Sequence, residues 1–138
     1  MNKIKSKRIL LDMSVTLLHH GHIRLIKKAS KFGDVIVGLT RDSFIKKNKG
    51  YKPELAFKFR KEILTSIKYV KEVIPSNFYI TENFLRKNKI DFLVHGSDNS
   101  NKINKKKLII FKRTNNVSSN IIRKRVSANI KKIKAFKI

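Results

Sequence analysis

Five short stretches of the chain are rich in aliphatic residues and lack polar alternation, which is typical of strands covered on both faces. They lie at residues 8–13, 35–39, 70–74, 91–94 and 108–111. Between them the apolar residues recur at a spacing of three or four, which predicts amphipathic helices. The predicted helices span residues 22–32, 42–47, 55–67 and 81–88, and a last helix begins at Ser118 or Ser119.

The helical spacing also predicts which side chains face the core. They are Leu25, Ala29 and Phe32 in the first helix, Phe59, Ile63 and Ile67 in the third, and Ile122, Val126, Ile130 and Ile133 in the last. The alternation of strands and helices predicts a single α/β domain over residues 1–138, with a Rossmann-like three-layer architecture and a mainly parallel five-stranded sheet. Residues 49–53 are expected to form a loop, and residues 131–138 to fray.

Composition narrows the classes of protein that this chain can represent. Its 138 residues contain no cysteine, which excludes disulfides, zinc–thiolate sites and thiol nucleophiles. No apolar run approaches the ~18 residues of a transmembrane helix. The basic start of the chain is followed by an apolar stretch that Asp12 interrupts too early for a signal peptide. The expected compartment is therefore the cytoplasm, with no membrane partner.

The net charge of +25, from 34 Lys and Arg against 9 Asp and Glu, has two interpretations. The chain holds 26 Lys, 19 Ile and 12 Asn, whose codons are rich in A and T, so a biased genome alone can produce this composition. The other interpretation is a surface for a polyanion. Such a site would lie after Asp98, where forty residues hold thirteen Lys or Arg and no acid.

The segment from Leu17 to His22 follows the first predicted strand and opens the first helix. Ligands of open α/β sheets bind at the carboxyl ends of strands, and a helix N-terminus offers free N–H groups to phosphate. His19 and His22 are three residues apart and can face one ligand, while Gly21 permits a close approach to the backbone. On spacing alone, a nucleotide site, a metal site and a merely structural histidine pair all remain open.

Several segments in order carry a resemblance to a known family. Leu17 to His22 resembles the HxGH signature of the nucleotidyltransferase superfamily. The segments GDVIVGLTRD, KNKGYKP, FRKE, SIKYVKEVIP, KIDFLVHGSD and RTNNVSS follow in the order in which cytidylyltransferases carry their counterparts. The chain thus resembles cytidylyltransferases of the glycerol-3-phosphate and phosphocholine type, and related enzymes that act on phosphonates. The likeness runs from about Ile9 to Arg125.

This resemblance implies a reaction and its partners. The phosphate of a small phospho-alcohol, or a phosphonate, attacks the α-phosphorus of CTP in line, and pyrophosphate leaves. Magnesium accompanies the triphosphate, and the protein forms a homodimer. A specific nucleic-acid partner is not expected, because the chain has no recognisable nucleic-acid motif and no basic strand interleaved with aromatic residues.

The resemblance also assigns roles to individual residues, with no side chain assigned to hold a metal. The catalytic residues are His19, His22, Lys49 and Arg113. The nucleotide-binding residues are Ser14, Val15, Gly21, His22, Lys47, Gly96, Asp98, Arg113, Thr114, Val117, Ser118 and Ser119. The residues expected to bind the acceptor phosphate are Arg60 and Lys68.

Three departures from the family pattern keep other functions open. Thr16 stands where the family usually has Asp, Ser97 where it has Asp, and Asn116 where it has Gly. Asn115 likewise replaces an acid. The alternatives are an adenylyltransferase of the same superfamily and a catalytically weak member that binds a nucleotide or polyanion.

Overall fold

The computed structural model describes residues 6–133. The strands are β1 (Arg8–Met13), β2 (Asp34–Thr40), β3 (Val70–Ser76), β4 (Phe92–Gly96) and β5 (Leu108–Phe111). The α-helices are α1 (His20–Ala29), α2 (Asp42–Lys49), α3 (Phe57–Thr65), α4 (Glu82–Lys87) and α5 (Ser119–Ile133). A short 3-10 helix, Lys105–Lys107, precedes β5. Residues 134–138, part of the segment expected to fray, lie outside the described residues.

The five strands form one sheet in the order β3-β2-β1-β4-β5, and every pairing is parallel. This confirms the predicted Rossmann-like α/β class. The chain first moves outward from β1 to β3 and then returns to place β4 on the other side of β1. The carboxyl ends of β1 and β4 therefore flank the crevice in which ligands of such sheets bind.

Alternate residues of the central strands pack into two cores, one on each face of the sheet. Ile9 and Leu11 of β1 join the core that contains Ile26 of α1 and Leu64 of α3. Leu10 joins the opposite core, whose other buried members are Ile36, Ile80, Leu85, Ile90 and Leu93. The three-layer arrangement follows from this division.

In two helices, side chains that were predicted to face the core are exposed. In α3, Phe59 and Ile63 are 46% and 38% exposed, while Arg60 and Leu64 are buried. The helix is rotated by one residue, because Arg60 finds hydrogen-bond partners inside. In α5, Val126, Ile130 and Ile133 are 40–49% exposed. Only the start of α5 is bonded to the rest of the described chain, through the side chains of Ser119 and Arg123.

Smaller differences concern the ends of elements. Phe32 lies beyond the end of α1 and is 51% exposed, so it does not belong to the core. The predicted loop at 49–53 begins at Gly50, which ends α2 in the left-handed conformation with φ 78°. Strand β3 continues through Pro75 to Ser76. Proline is tolerated there because β3 is an edge strand.

The guanidinium of Arg60 is 1% exposed and bonded on all sides. It donates to the carbonyl oxygens of Ser14, Thr40 and Leu55, at 2.6, 3.0 and 3.0 Å. It also pairs with the carboxylate of Asp42 at 2.5 Å. Ser14 follows β1 and Thr40 ends β2, so one side chain joins two strand ends to the start of α2 and the segment before α3.

Replacement of this side chain should destabilise the fold severely. Arg60→Met leaves buried carbonyls and a carboxylate without their donor, and we expect a loss of about 3–5 kcal/mol in the free energy of unfolding in urea. Lys61→Met, on the exposed side of the same helix, should change it by less than about 0.5 kcal/mol. Equal stabilities of the two variants would contradict the role assigned to Arg60.

Candidate active site

A cavity of about 790 Å³ opens where β1 and β4 end and where α1 and α5 begin. Most of the residues that were assigned to catalysis or to nucleotide binding line it. They are Ser14, Val15, His19, Gly21, His22, Lys49, Gly96, Asp98, Arg113, Thr114, Val117, Ser118 and Ser119. The fold thus brings segments that are a hundred residues apart in sequence to one crevice.

The first turn of α1 is capped by the two motif histidines. The N–H of Gly21 donates to Nδ1 of His19 at 3.1 Å, and the N–H of His19 donates to Nδ1 of His22 at 3.2 Å. The exchange resembles a capping box, with imidazoles in place of a hydroxyl and a carboxylate. The two rings stack with their centroids 3.8 Å apart. The spacing His-x-Gly-His is therefore also what starts the helix.

These hydrogen bonds determine which ring nitrogen carries a proton. Because both Nδ1 atoms accept a bond from the backbone, each neutral ring carries its proton on Nε2. Burial, with a contribution from His19 and Lys49, lowers the pKa of His22 to about 3. Burial and His20 also lower the pKa of His19. Near neutral pH the cavity therefore holds two uncharged N–H donors.

Gly21 is required by the histidine itself. A Cβ at this position would lie 2.9 Å from Nδ1 and Cε1 of His19 and 3.0 Å from Cγ1 of Val117. The absent side chain thus makes room for the His19 ring and for the segment before α5. The sequence predicts a close approach of a ligand at Gly21, whereas the nearest atoms in the structure belong to His19 and Val117.

The N-terminus of α5 forms the second helix end at the cavity. Oγ of Ser118 accepts from the N–H of Ile121 at 3.1 Å, and Oγ of Ser119 donates to the carbonyl of Leu17 at 3.3 Å. The second bond ties α5 to the loop that leads into α1. Two helix N-termini, each with a positive dipole end, therefore meet at one cavity and favour an anion there.

Charged side chains lie near the end of β4, beside the cavity. Arg113 pairs with Asp98, and a Cβ at Gly96 would lie 2.9 Å from Oδ1 of that carboxylate. Beside them lies a pair that sequence reasoning missed, Asp12 and His95, with a carboxylate oxygen 3.6 Å from Nε2. The carboxylate raises the pKa of His95. The one feature of the sequence that could have predicted this pair is the position of the two residues near the ends of β1 and β4.

The cavity is also lined by part of a second cluster that the sequence did not reveal. Arg123 of α5 pairs with Glu54 at 2.7 Å and donates to Oγ1 of Thr16 at 2.6 Å. Its guanidinium lies 4.5 Å from the centroid of the Tyr51 ring. Lys49, at the end of α2, lines the cavity as well.

Three assigned residues lie away from the cavity lining. Arg60 is a correction, because its guanidinium is buried and bonded within the protein and has no face for an acceptor phosphate. Lys68 is exposed near Tyr69, with its ammonium 5.1 Å from the ring centroid. Lys47 is exposed on α2, and Lys49 is the residue of this pair that reaches the cavity.

Comparison with known proteins identifies the family of the chain. Residues 16–125 match the family model described as cytidylyltransferase-like. The glycerol-3-phosphate cytidylyltransferase of Staphylococcus aureus is 35% identical over 125 residues, which cover 85% of this chain and 92% of that enzyme. The ethanolamine-phosphate cytidylyltransferase of Arabidopsis thaliana is 34% identical over 71% of this chain. The chain spans only 24% of the length of that protein.

Two further relatives extend the comparison. The FAD synthase of Pyrococcus abyssi is 34% identical, over 66% of this chain and 63% of that protein. Among solved structures, the lipopolysaccharide core biosynthesis protein from Thermoplasma volcanium superposes with a TM-score of 0.67 at 21% identity. The superposition covers 80% of this chain and 99% of that one, and it shows a shared fold. With most of its length matched by the family model, the chain belongs to the cytidylyltransferase-like family of nucleotidyltransferases.

Proposed function

We propose that the protein transfers CMP from CTP to the phosphate or phosphonate of a small acceptor and releases pyrophosphate. The observation that carries the proposal is the pair of neutral histidine N–H donors at the start of α1, in one cavity with the N-terminus of α5, Arg113 and Lys49. The names of the glycerol-3-phosphate and ethanolamine-phosphate cytidylyltransferase relatives support CTP and a phospho-alcohol as the substrates.

In the proposed reaction an oxygen of the acceptor phosphate forms a bond to the α-phosphorus of CTP. The bond from that phosphorus to the bridging oxygen breaks, and its electron pair leaves with pyrophosphate. No covalent enzyme intermediate is needed, so catalysis consists of positioning and of stabilising charge. Nε2–H of His19 and His22 would donate to phosphate oxygens as charge develops, since both rings are held in place by their Nδ1 bonds.

The other cationic and N–H groups of the cavity would bind the phosphates of the nucleotide. The N–H groups at the start of α5 and the guanidinium of Arg113 would hold the β- and γ-phosphates. Lys49 lies close enough to His22 for its charge to lower the pKa of that residue, and its ammonium would contact the phosphates as well. A role for Lys47 in phosphate binding stays a prediction.

The cavity has chemistry that fits a magnesium ion bound with the triphosphate. Asp12 and Asp98 are its lining carboxylates, and Oδ1 of Asp12 is buried without a hydrogen-bond partner in the described chain. No group of three or more His, Asp or Glu side chains among residues 6–133 is placed to hold a metal by itself. Magnesium usually takes one or two carboxylates and completes its shell with substrate phosphates and water. These two aspartates would hold it, and it would neutralise phosphate charge.

A second candidate function is transfer of AMP from ATP, which the likeness to FAD synthase favours. The homodimer implied by the family resemblance also stays a prediction.

Among residues 6–133, none of the helices combines the length and the hydropathy of a membrane span.

Nucleotide binding distinguishes the two candidate reactions. We expect CTP with magnesium to raise the melting temperature more than ATP does at equal concentration, because a ligand that binds only the folded state stabilises it according to its affinity. Differential scanning fluorimetry measures both shifts. Equal shifts would favour the adenylyl reaction, and no shift with either nucleotide would exclude both.

The histidine donors are tested by substitution. We expect His22→Ala to lower pyrophosphate release from CTP by about 10²–10³-fold, the usual cost of one donor to a transition-state anion. The acceptors are glycerol 3-phosphate, phosphoethanolamine and an aminoalkyl phosphonate. His20→Ala removes an exposed imidazole from the same helix turn and should retain activity. Full activity of the His22 variant with the acceptor used best by the unmodified chain would refute the proposed role.

The depressed pKa of His22 predicts a pH dependence of stability. The unfolded histidine binds a proton below about 6.5, whereas the folded one remains neutral down to about pH 3. The unfolded state therefore binds more protons in this window, and the free energy of unfolding decreases as the pH is lowered, by up to about 1.4 kcal/mol per pH unit for this group. Urea unfolding between pH 6.5 and 5 should show a shallower slope for His22→Ala. Parallel slopes would show that the His22 pKa is not depressed.

A further inference from the structure

A second concave surface adjoins the cavity, and we call it the basic groove. It has a volume of about 580 Å³. Its charged lining residues are Arg24, Lys27, Lys28, Lys31, Lys112 and Arg113. All six are cations, and this charge favours an anion of several charges in the groove.

One wall of the basic groove is a stripe on α1 and the turn after it. Arg24, Lys27, Lys28 and Lys31 follow the spacing i, i+3, i+4, i+7, which places them on one helix face. Like charges at these spacings destabilise a helix. The other wall is the segment that leaves β5. Lys28 connects the walls, since its ammonium lies 5.6 Å from the centroid of the Phe111 ring.

Five of the six cations of the basic groove have no counter-charge among the described residues. All nine Asp and Glu residues of the chain lie among the described residues, and none of them lines it. Seven pair with basic side chains: Asp12 with His95, Asp34 with Lys71, Asp42 with Arg60, Glu54 with Arg123, Glu72 with Arg8, Glu82 with Lys107, and Asp98 with Arg113. Of the six groove cations, only Arg113 takes part in an ion pair with a described residue.

The position and lining of the groove indicate which anion fits. Arg24, Lys28, Lys112 and Arg113 line the nucleotide cavity as well, so the two surfaces are continuous at the proposed phosphate end. No aromatic side chain of the described residues lines the groove. Sites for single-stranded nucleic acid combine cations with aromatic platforms on which bases stack. A chain of phosphates without bases fits this lining better.

We propose that the basic groove binds a linear inorganic polyphosphate longer than a triphosphate, which enters the cavity at Arg113 and competes with CTP. The competition rests on the proposed function, because it requires the nucleotide phosphates to lie at Arg113. Binding of polyphosphate in the groove does not rest on the proposed function. Lys27 and Lys31 line the groove but not the cavity, so their substitution tests groove binding separately from competition with CTP.

The test compares the full chain with Lys27→Gln/Lys31→Gln and with the control Lys58→Gln/Lys61→Gln, which removes two exposed cations from α3. Isothermal titration measures binding of tripolyphosphate and of a longer polyphosphate at several salt concentrations. The unmodified chain and the control should bind the longer anion more tightly. The groove variant should lose this preference, and its slope of log K against log salt should be smaller by about two. It should keep CTP turnover, while polyphosphate inhibits it less.

Three results would overturn the proposal. Equal losses in the groove and control variants would show that the affinity belongs to the total charge. Equal affinity for the two polyphosphates would confine the anion to the cavity. Tighter binding of a single-stranded oligonucleotide of matched charge, lost in the groove variant, would make the surface a nucleic-acid site. If the preference depends on Lys27 and Lys31 but no acceptor releases pyrophosphate from CTP, the groove stands and the proposed function fails.

Discussion

The carboxyl ends of β1 and β2 are held by one buried guanidinium, that of Arg60. It donates hydrogen bonds to the carbonyl oxygens of Ser14 and Thr40, and it pairs with the carboxylate of Asp42, the first residue of α2. A buried cation is tolerated only when its donors are satisfied, and here oxygens surround it. The residue after Ser14 is Val15, which adopts the left-handed conformation with φ 44°, a strained state for a β-branched residue. The turn that leads to His19 therefore depends on this anchor.

The imidazole rings of His19 and His22 both cap helix α1 and provide the donors of the proposed reaction. Nδ1 of His19 and of His22 accept backbone N–H groups at the start of α1, and this leaves Nε2–H of each ring for a ligand. A serine or aspartate cap would satisfy the backbone equally well but would offer no N–H donor to a phosphate. Gly21 belongs to the same unit, because a side chain there would collide with the His19 ring. The histidine motif is thus explained by local geometry as well as by function.

The limits of the sequence interpretation have physical causes. The strands were predictable because both sheet faces are covered, which leaves continuous aliphatic runs. The buried face of α3 was not, since Arg60 is a cation whose partners lie up to 46 residues away in sequence. The contacts of Arg123 with Glu54 and Thr16 span 69 and 107 residues, and no local pattern encodes them. In α5 the apolar periodicity is real, but Val126 and Ile130 are not covered by the described chain. The spacing of apolar residues predicts which face of a helix is apolar, but it does not predict which part of the protein packs against that face.

The departures from the family pattern are compatible with an intact site once their surroundings are known. Thr16 is buried and accepts a hydrogen bond from Arg123, and Glu54 supplies the carboxylate that this guanidinium pairs with. Asn116 has φ 63°, in the left-handed region where asparagine is the usual substitute for glycine.

The third departure, Ser97, is exposed and does not line the cavity. None of the three changes removes a donor from the histidine pair or from the start of α5. The groups proposed to contact the phosphates are therefore all retained in this chain.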